Sequence, residues 1–125
     1  MVAAVWNAPV VILAHGLGDD PVFFLGNRLA LRAFETTLDD LCRMPSRLSA
    51  EPGPPEERAR LLARVTAEGY IDDYAGIRIS ARGRRFPITQ ATVWNVHDSA
   101  GQRIGQAATF APPPHALGDG QAGIA

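Results

Sequence analysis

The residues best suited to chemistry are few, and they stand far apart in the chain. His15, His97 and His115 lie in three separate segments, and Cys42 is the single thiol. A metal site needs several ligands at defined spacings, and nucleophilic catalysis needs a base beside the nucleophile. Neither pattern surrounds these residues, and Cys42 lies in an apolar stretch where we expect it to pack in the core. The sequence therefore predicts no catalytic residue, no metal site and no enzyme.

Two charged clusters have a binding interpretation and a structural one. Asp72 and Asp73 are neighbours in a predicted strand, where adjacent side chains face opposite sides. One solvated and one ion-paired carboxylate are therefore expected, rather than an acid–base pair. Four arginines surround a predicted hairpin and could bind an anion or an acidic partner: Arg78, Arg82, Arg84 and Arg85. No aromatic residues interleave with them for stacking on bases, so we expect a solvated hairpin and no nucleic-acid partner.

The composition is that of one globular domain. The chain has 125 residues, of which 46% are hydrophobic and 20% charged, and its formal net charge is −1. These values exclude a disordered chain and a strongly basic nucleic-acid binder. The sequence contains no apolar run long enough to span a membrane, and its apolar start lacks the basic residues of a signal peptide. We therefore expect a cytoplasmic protein, and the lysine-free composition is typical of a GC-rich bacterial genome.

The first half of the chain predicts two strands followed by three helices. Apolar, β-branched runs predict strands over residues 9–14 and 22–25. Asn27 and Thr37 are typical N-caps of the two short helices that follow, since their side chains accept from free amides of the first turn. A third helix is predicted over residues 55–68, with proline at its start and glycine just after its end.

The second half predicts three sequential strands, over residues 70–80, 85–97 and 102–110. Tight turns join them, so they must be antiparallel. Alternation along the middle one of the three predicts a single inner face: Phe86, Ile88, Gln90, Thr92, Trp94 and Val96. The residues 112–125, rich in proline and glycine, predict a flexible tail.

These elements predict an α+β fold. Helices in the middle of the chain must cover one face of a sheet, and the first two strands can pair only at its edge. The expected architecture is a five-stranded antiparallel sheet with three short-to-medium helices on one face. It forms a single domain over residues 1–111, with room for a cavity between helices and sheet.

Several stretches resemble a PAS domain. DPVFFLGNRLALRAF has the strand, asparagine and short apolar helix of that fold, and HDSAGQRIGQAATF has its D-x-x-G hairpin. The sequence is more similar to one PAS-like family, the MEKHLA domain, through RLSAEP, ERARLLARV, GYIDDYAGIRIS, GRRF and QATVWNVHD. That domain occurs alone in bacterial proteins and at the C-terminus of plant class III homeodomain-leucine zipper transcription factors. Bacterial members usually carry more helix ahead of the first strand, so we expect a truncated N-terminal helix here.

The resemblance implies the PAS-like strand order 2-1-5-4-3 and a sensory or interaction role. It also limits which cofactors are expected. Light-oxygen-voltage PAS domains form a flavin adduct with a cysteine, where this chain has Ser46, and Ile88 replaces a flavin-contacting asparagine. A hydroxyl cannot form that thioether adduct. Haem-binding PAS domains commonly use a histidine on the long helix, and residues 55–68 contain none. We therefore expect no covalent flavin adduct and no haem. A non-covalently bound flavin stays open, and the sequence does not identify a cofactor.

Two functions remain open, and a small enzyme is the least favoured third. The first is a sensory module that binds a small ligand and relays the signal through its β-sheet. Its expected pocket residues are Phe24, Tyr74, Gln90 and Trp94. Of these, Gln90 needs a hydrogen-bond partner on an apolar face, which a ligand can supply. The second function is an interaction module with a packed core, which forms a homodimer or binds a regulatory protein. Exposed Ile104 and Phe110 on the last strand would mark that surface.

Overall fold

The structure, a computed structural model, describes residues 1–117. These residues form five strands and five α-helices. The strands are β1 (Val11–His15), β2 (Phe23–Gly26), β3 (Tyr70–Ile79), β4 (Arg85–His97) and β5 (Arg103–Phe110). The helices are α1 (Ala3–Trp6), α2 (Arg28–Ala33), α3 (Leu38–Leu41), α4 (Pro55–Glu68) and α5 (Pro114–Leu117), with a 3-10 helix (Ser46–Ser49) before α4. The five predicted strands are confirmed.

The last strand along the chain, β5, lies at the centre of the sheet. The strand order is β2-β1-β5-β4-β3 and every pairing is antiparallel, which confirms the predicted topology. Tight turns join β3 to β4 and β4 to β5. They contain Gly83 and Gly101 at φ angles of 83° and 85°, which glycine adopts without strain.

The helices begin and end where the sequence indicates. At the start of α2, Asn27 Oδ1 accepts from the Ala30 amide over 3.0 Å. At the start of α3, Thr37 Oγ1 accepts from the Asp40 amide over 3.2 Å. The long helix α4 ends at Gly69, whose φ of 85° lies in the left-handed region.

A β-bulge at Gln90 divides β4 into two parts. Gln90 has a positive φ of 52°. Across the pairing, Gly76 lies opposite Ile88 and Tyr74 lies opposite Ala91, so β4 carries one more residue than β3 over this interval. An extra residue of this kind bends the strand and reverses the alternation of the side chains that follow.

The bulge makes the predicted inner face of β4 wrong beyond Ile88. Phe86 and Ile88 are buried as predicted. After the bulge, Ala91 and Val93 take the buried positions. Gln90, Thr92, Trp94 and Val96 therefore do not belong to the inner face, although simple alternation predicts that they do.

Two apolar clusters hold the helices on the sheet. The larger contains Phe34, Leu41 and Phe86, and it joins α2 and α3 to the strands. The rings of Phe34 and Phe86 meet edge to face with their centroids 5.4 Å apart. The smaller cluster contains Val65 of α4 and Ile71 of β3. The long helix therefore rests on the β3–β4 side of the sheet.

The start of the predicted flexible tail is packed against α2. His115 Nε2 lies 2.8 Å from the carbonyl oxygen of Ala33, and Ala116 is buried. The prolines that suggested flexibility lead directly into α5. The prediction is therefore wrong for residues 112–117, while residues 118–125 lie outside the described part of the chain.

Cys42 is exposed at the end of α3, contrary to the expectation of a packed thiol. The apolar anchor of this helix is its neighbour Leu41, which is fully buried. Within residues 1–117, no helix combines the length and hydrophobicity that crossing a membrane requires.

Candidate functional site

A cavity of about 630 Å³ lies between the inner face of the sheet and the segment that contains α4. This volume is within the range of small-molecule binding sites. Its floor is apolar and is formed by side chains of four strands: Leu13, Phe23, Ile88, Val93, Ala108 and Phe110. The cavity therefore offers a ligand an extensive apolar surface.

The wall opposite the sheet is formed by α4 and the linker before it. Leu61 and Leu62 of α4 line the cavity, and Val65 is the buried residue of this helix. Residues 51–60 are all exposed. A short apolar stripe near the middle of α4 thus attaches this wall to the sheet.

Arg78 brings a guanidinium to the cavity from β3. Its Nη2 donates to Ser49 Oγ over 2.6 Å, and Ser49 Oγ donates to the Ser46 carbonyl over 2.7 Å. Burial lowers the pKa of Arg78, and the Tyr74 hydroxyl opposes that change. An arginine remains charged even so. The cavity therefore contains a cation held by neutral oxygen acceptors.

Tyr74 occupies the space left by a missing side chain on β3. A Cβ added to Gly76 would stand 2.9 Å from the Tyr74 hydroxyl oxygen. Glycine at this position therefore lets the ring lie along the strand towards Arg78. Tyr74, Gly76 and Arg78 follow at two-residue spacing, and all three line the cavity.

His15 lies at the end of β1, at the same cavity. Its Nδ1 is 2.9 Å from the Gly16 carbonyl oxygen, so Nδ1 carries the proton and Nε2 is the acceptor of the neutral ring. Burial lowers the pKa of His15, the Gly16 carbonyl raises it, and the positive charges of Arg58, Arg78 and Arg103 lower it. Three arginines therefore make this region electropositive.

Comparison with known proteins identifies the family. The family model of the MEKHLA domain matches residues 1–112. The chain belongs to the MEKHLA domain family. It is 32% identical over 95 residues to the homeobox-leucine zipper protein ATHB-9 of Arabidopsis thaliana, which covers 74% of this chain and 11% of that protein. This MEKHLA domain therefore corresponds to a small part of its plant relative.

Solved structures share the fold at low sequence identity. The PAS domain of a protein from Colwellia psychrerythraea matches with a TM-score of 0.70 and 13% identity, over 85% of this chain and 87% of that chain. A light-oxygen-voltage domain studied with a flavin analogue matches with a TM-score of 0.64 and 12% identity, over 85% and 78%. The predicted PAS-like fold of the MEKHLA domain is confirmed.

Among the four predicted pocket residues, Tyr74 lines the cavity and the other three lie outside its lining. Gln90 is exposed because its side chain belongs to the bulge. Trp94 follows the bulge and lies opposite Ala107. Its side chain is therefore on the opposite face from the one that simple alternation predicts. The amide of Gln90 therefore has solvent around it and does not need a ligand.

Phe24 is displaced by an irregularity in the β1–β2 pairing. Phe23 lies opposite His15 and Leu25 opposite Ala14, so Phe24 is the extra residue between them. Phe23 is buried in the cavity floor, whereas Phe24 is 44% exposed and lies over Gly105. In this strand, Phe23 faces the cavity instead of the predicted Phe24.

Sequence reasoning assigned Arg78 to a solvated hairpin, and the structure corrects this. Arg84 pairs with Glu35 at 3.0 Å, Arg85 pairs with Glu51, and both arginines are largely exposed. Arg78 precedes the turn on the inner face instead. The two-residue spacing from Tyr74 was the available signal, since it predicts that both side chains face the same side.

Asp72 and Asp73 do not form an acid–base pair, and Asp73 is the ion-paired carboxylate of the two. The Asp73 carboxylate accepts two hydrogen bonds from Arg64 Nη2, at 3.0 and 3.1 Å, and both partners are exposed. Within residues 1–117, no group of three or more His, Cys, Asp and Glu side chains is arranged to hold a metal ion.

Proposed function

We propose that this MEKHLA domain is a sensory module that binds a small organic ligand in the cavity and relays its occupancy through the sheet. The observation that carries the proposal is the cavity itself, with an apolar floor and a few polar groups directed towards it. Such a combination is typical of a site that recognises a ligand by burying its apolar body and orienting its polar end. Membership of the MEKHLA family and the PAS-like fold support the sensory role.

The floor of the cavity offers a route for the signal. Ala108 of β5 lies opposite Leu13 of β1 and Val93 of β4, and all three residues line the cavity. A ligand that presses on this row acts on the three adjacent central strands at once. Because strands in a sheet are hydrogen-bonded to each other, a small displacement here changes the opposite face as well.

The proposal is tested by filling the cavity from its floor. Ala108→Leu adds three carbon atoms to the cavity, and the matched control Ala63→Leu makes the same change on the exposed side of α4. Native mass spectrometry of each purified protein should detect a bound small molecule in the wild type and the control. Thermal-shift screening of the ligand-free proteins should give compounds that stabilise these two and not Ala108→Leu. Equal binding by Ala108→Leu, or no compound that binds the wild type, would refute the proposal.

A second candidate is an interaction module that uses the outer face of the sheet. Phe24 and Ile104 are 44% and 42% exposed, which favours contact with a second copy or a regulatory protein. Phe110, expected on the same surface, is instead buried in the cavity floor. Analytical ultracentrifugation distinguishes the candidates, since a dimer that Phe24→Ser dissociates would support the second.

A further inference from the structure

We infer that the cavity takes a ligand with an apolar body and one carboxylate-type anionic group, which binds the Arg78 guanidinium. This inference rests on the proposed ligand-binding function and adds the chemical class of the ligand. Three independent features of the site support it: the partners of Arg78, the charges around it and the chemistry of the cavity floor.

Arg78 lacks the carboxylate partner that nearby arginines have. Arg84 and Arg85 form ion pairs with glutamates, and Arg47 pairs with Asp20 at 2.9 Å. Within residues 1–117, no carboxylate lies within 4.0 Å of the Arg78 guanidinium. The acceptors beside it are neutral oxygens, namely Ser49 Oγ at 2.6 Å and the Tyr74 hydroxyl.

Those two acceptors leave part of the guanidinium unused. Arginine has five N–H donors in a planar fork, and a carboxylate can accept two of them in parallel. Removing a cation from water is costly unless an opposite charge compensates it. An anionic group bound at Arg78 would supply the missing opposite charge and use the remaining donors.

The charges around Arg78 also favour an anion. Arg58 of α4 lines the same cavity, and its charge acts on both Arg78 and His15. The two acidic residues of the lining do not neutralise Arg78. Glu51 is paired with Arg85, and Glu57 is exposed near the start of α4. The region near Arg78 therefore attracts negative charge and repels cations.

The apolar floor of the cavity determines which kind of ligand body fits beside the anionic group. Leu13, Ile88 and Val93 present hydrocarbon surface, and burying apolar ligand surface against it favours binding. A polyanion such as a nucleotide would have to bury several charges against this floor, with Arg78 as the one half-buried arginine in the described lining. A monocarboxylate with an aryl or alkyl body fits both parts of the site.

Matched probes test the inference on the full chain, purified and freed of bound molecules. Each of three carboxylates is titrated calorimetrically beside its neutral amide: 1-naphthaleneacetate, decanoate and indole-3-acetate. The proteins are the wild type, Arg78→Gln, and the control Arg82→Gln, which changes an exposed arginine of the same hairpin. We expect at least one carboxylate to bind about tenfold tighter than its amide, as a charged hydrogen bond provides. Arg78→Gln should reduce this ratio to near one, and Arg82→Gln should preserve it.

The outcomes separate the inference from the proposed function. If amides bind as tightly as carboxylates, or if Arg78→Gln keeps the ratio, the cavity binds ligands and the anionic class is wrong. If none of the three carboxylates binds, the class is also wrong, and the native mass spectrum and the library screen decide independently whether the cavity binds ligands. Circular dichroism of Arg78→Gln confirms that the variant is folded.

Discussion

Glu35 and Arg84 stand 49 residues apart in the sequence, and their side chains form two hydrogen bonds, at 3.0 and 3.4 Å. Glu35 also accepts from Ser80 Oγ at 2.8 Å. It follows Phe34, the C-cap of α2, and has a left-handed φ of 54°. One carboxylate thus ties the end of a helix to the β3–β4 hairpin.

We expect Glu35→Gln to make the domain less stable at pH 7 and to have little effect in acid. Hydrogen bonds from Arg84 and Ser80 lower the pKa of the Glu35 carboxyl. A lowered pKa stabilises the folded state above the unfolded pKa, and this contribution is lost as the pH falls through the folded pKa. Urea unfolding at pH 7 and pH 3 measures the difference. The control Glu68→Gln, exposed at the end of α4, should show no such change with pH, and a parallel loss for Glu35→Gln at both pH values would contradict the prediction.

Asn27→Asp should be strongly destabilising. The Asn27 amide is fully buried: its Oδ1 accepts from Ile12 and Ala30, and its Nδ2 donates to the carbonyls of Val5 and Val10. Aspartate keeps the cap acceptor but directs a carboxylate oxygen at two carbonyl oxygens. We expect a loss of about 2–4 kcal/mol in the free energy of unfolding, since two buried acceptors lose their donor.

Chemical denaturation of Asn27→Asp and Asn27→Ser measures this loss. Serine also keeps a cap acceptor and introduces no charge, so it should cost less than aspartate. Equal stability of Asn27→Asp and the wild type would show that the donated hydrogen bonds do not contribute.

Gln90→Gly should preserve or raise stability, while Gln90→Val should lower it. Glycine adopts the positive φ of this bulge without strain, whereas a β-branched side chain is strongly disfavoured there. We expect Gln90→Val to cost about 1–2 kcal/mol. Thr89→Val, at the exposed neighbouring position, is the control and should be neutral. Thermal unfolding of the three variants gives the ranking, and a valine tolerated at position 90 would argue against the bulge.

Stability should fall as the pH is lowered from 7.5 to 5.5, in part because of His15. Burial and the charges of Arg58, Arg78 and Arg103 lower the pKa of His15, so the unfolded chain binds a proton more readily than the folded one. This contribution to stability is present above the unfolded pKa and decreases as the pH falls towards the folded pKa. His15→Gln should flatten this part of the pH profile.

The matched control for His15 is His97→Gln, at the exposed end of β4. It should leave the pH profile of the wild type unchanged. The opposite result, a steeper acid loss in His15→Gln than in the wild type, would mean that the imidazolium is favoured in the folded state.

Local rules predicted most of the fold and little of the site. The caps of α2 and α3 depend on one side chain and the amides of one turn, so Asn27 and Thr37 could be identified from sequence alone. The antiparallel pairing of β3, β4 and β5 followed from their tight turns, and the full strand order came from the resemblance to a PAS domain. The caps and the tight turns are interactions that are close in the chain, whereas the pairing of β1 with β5 is not.

The site depended on two backbone irregularities that alternation does not reveal. The bulge at Gln90 reversed the side of Trp94, and the irregularity beside His15 exposed Phe24. Bulges depend on how two strands pair, which is a property of both strands together. Tyr74 lines the cavity, with Gly76 and Arg78 at two-residue spacing along β3.

The exposed segment from residue 51 to residue 60 has a consequence for ligand exchange. This part of the wall buries no side chain, so detaching it from the sheet breaks few apolar contacts and costs much less than unfolding the whole domain. Under the proposed function, a ligand would then need only partial opening of this wall to enter or leave. Substitutions in this segment would then change the residence time of such a ligand without weakening the packed core around Phe34 and Phe86.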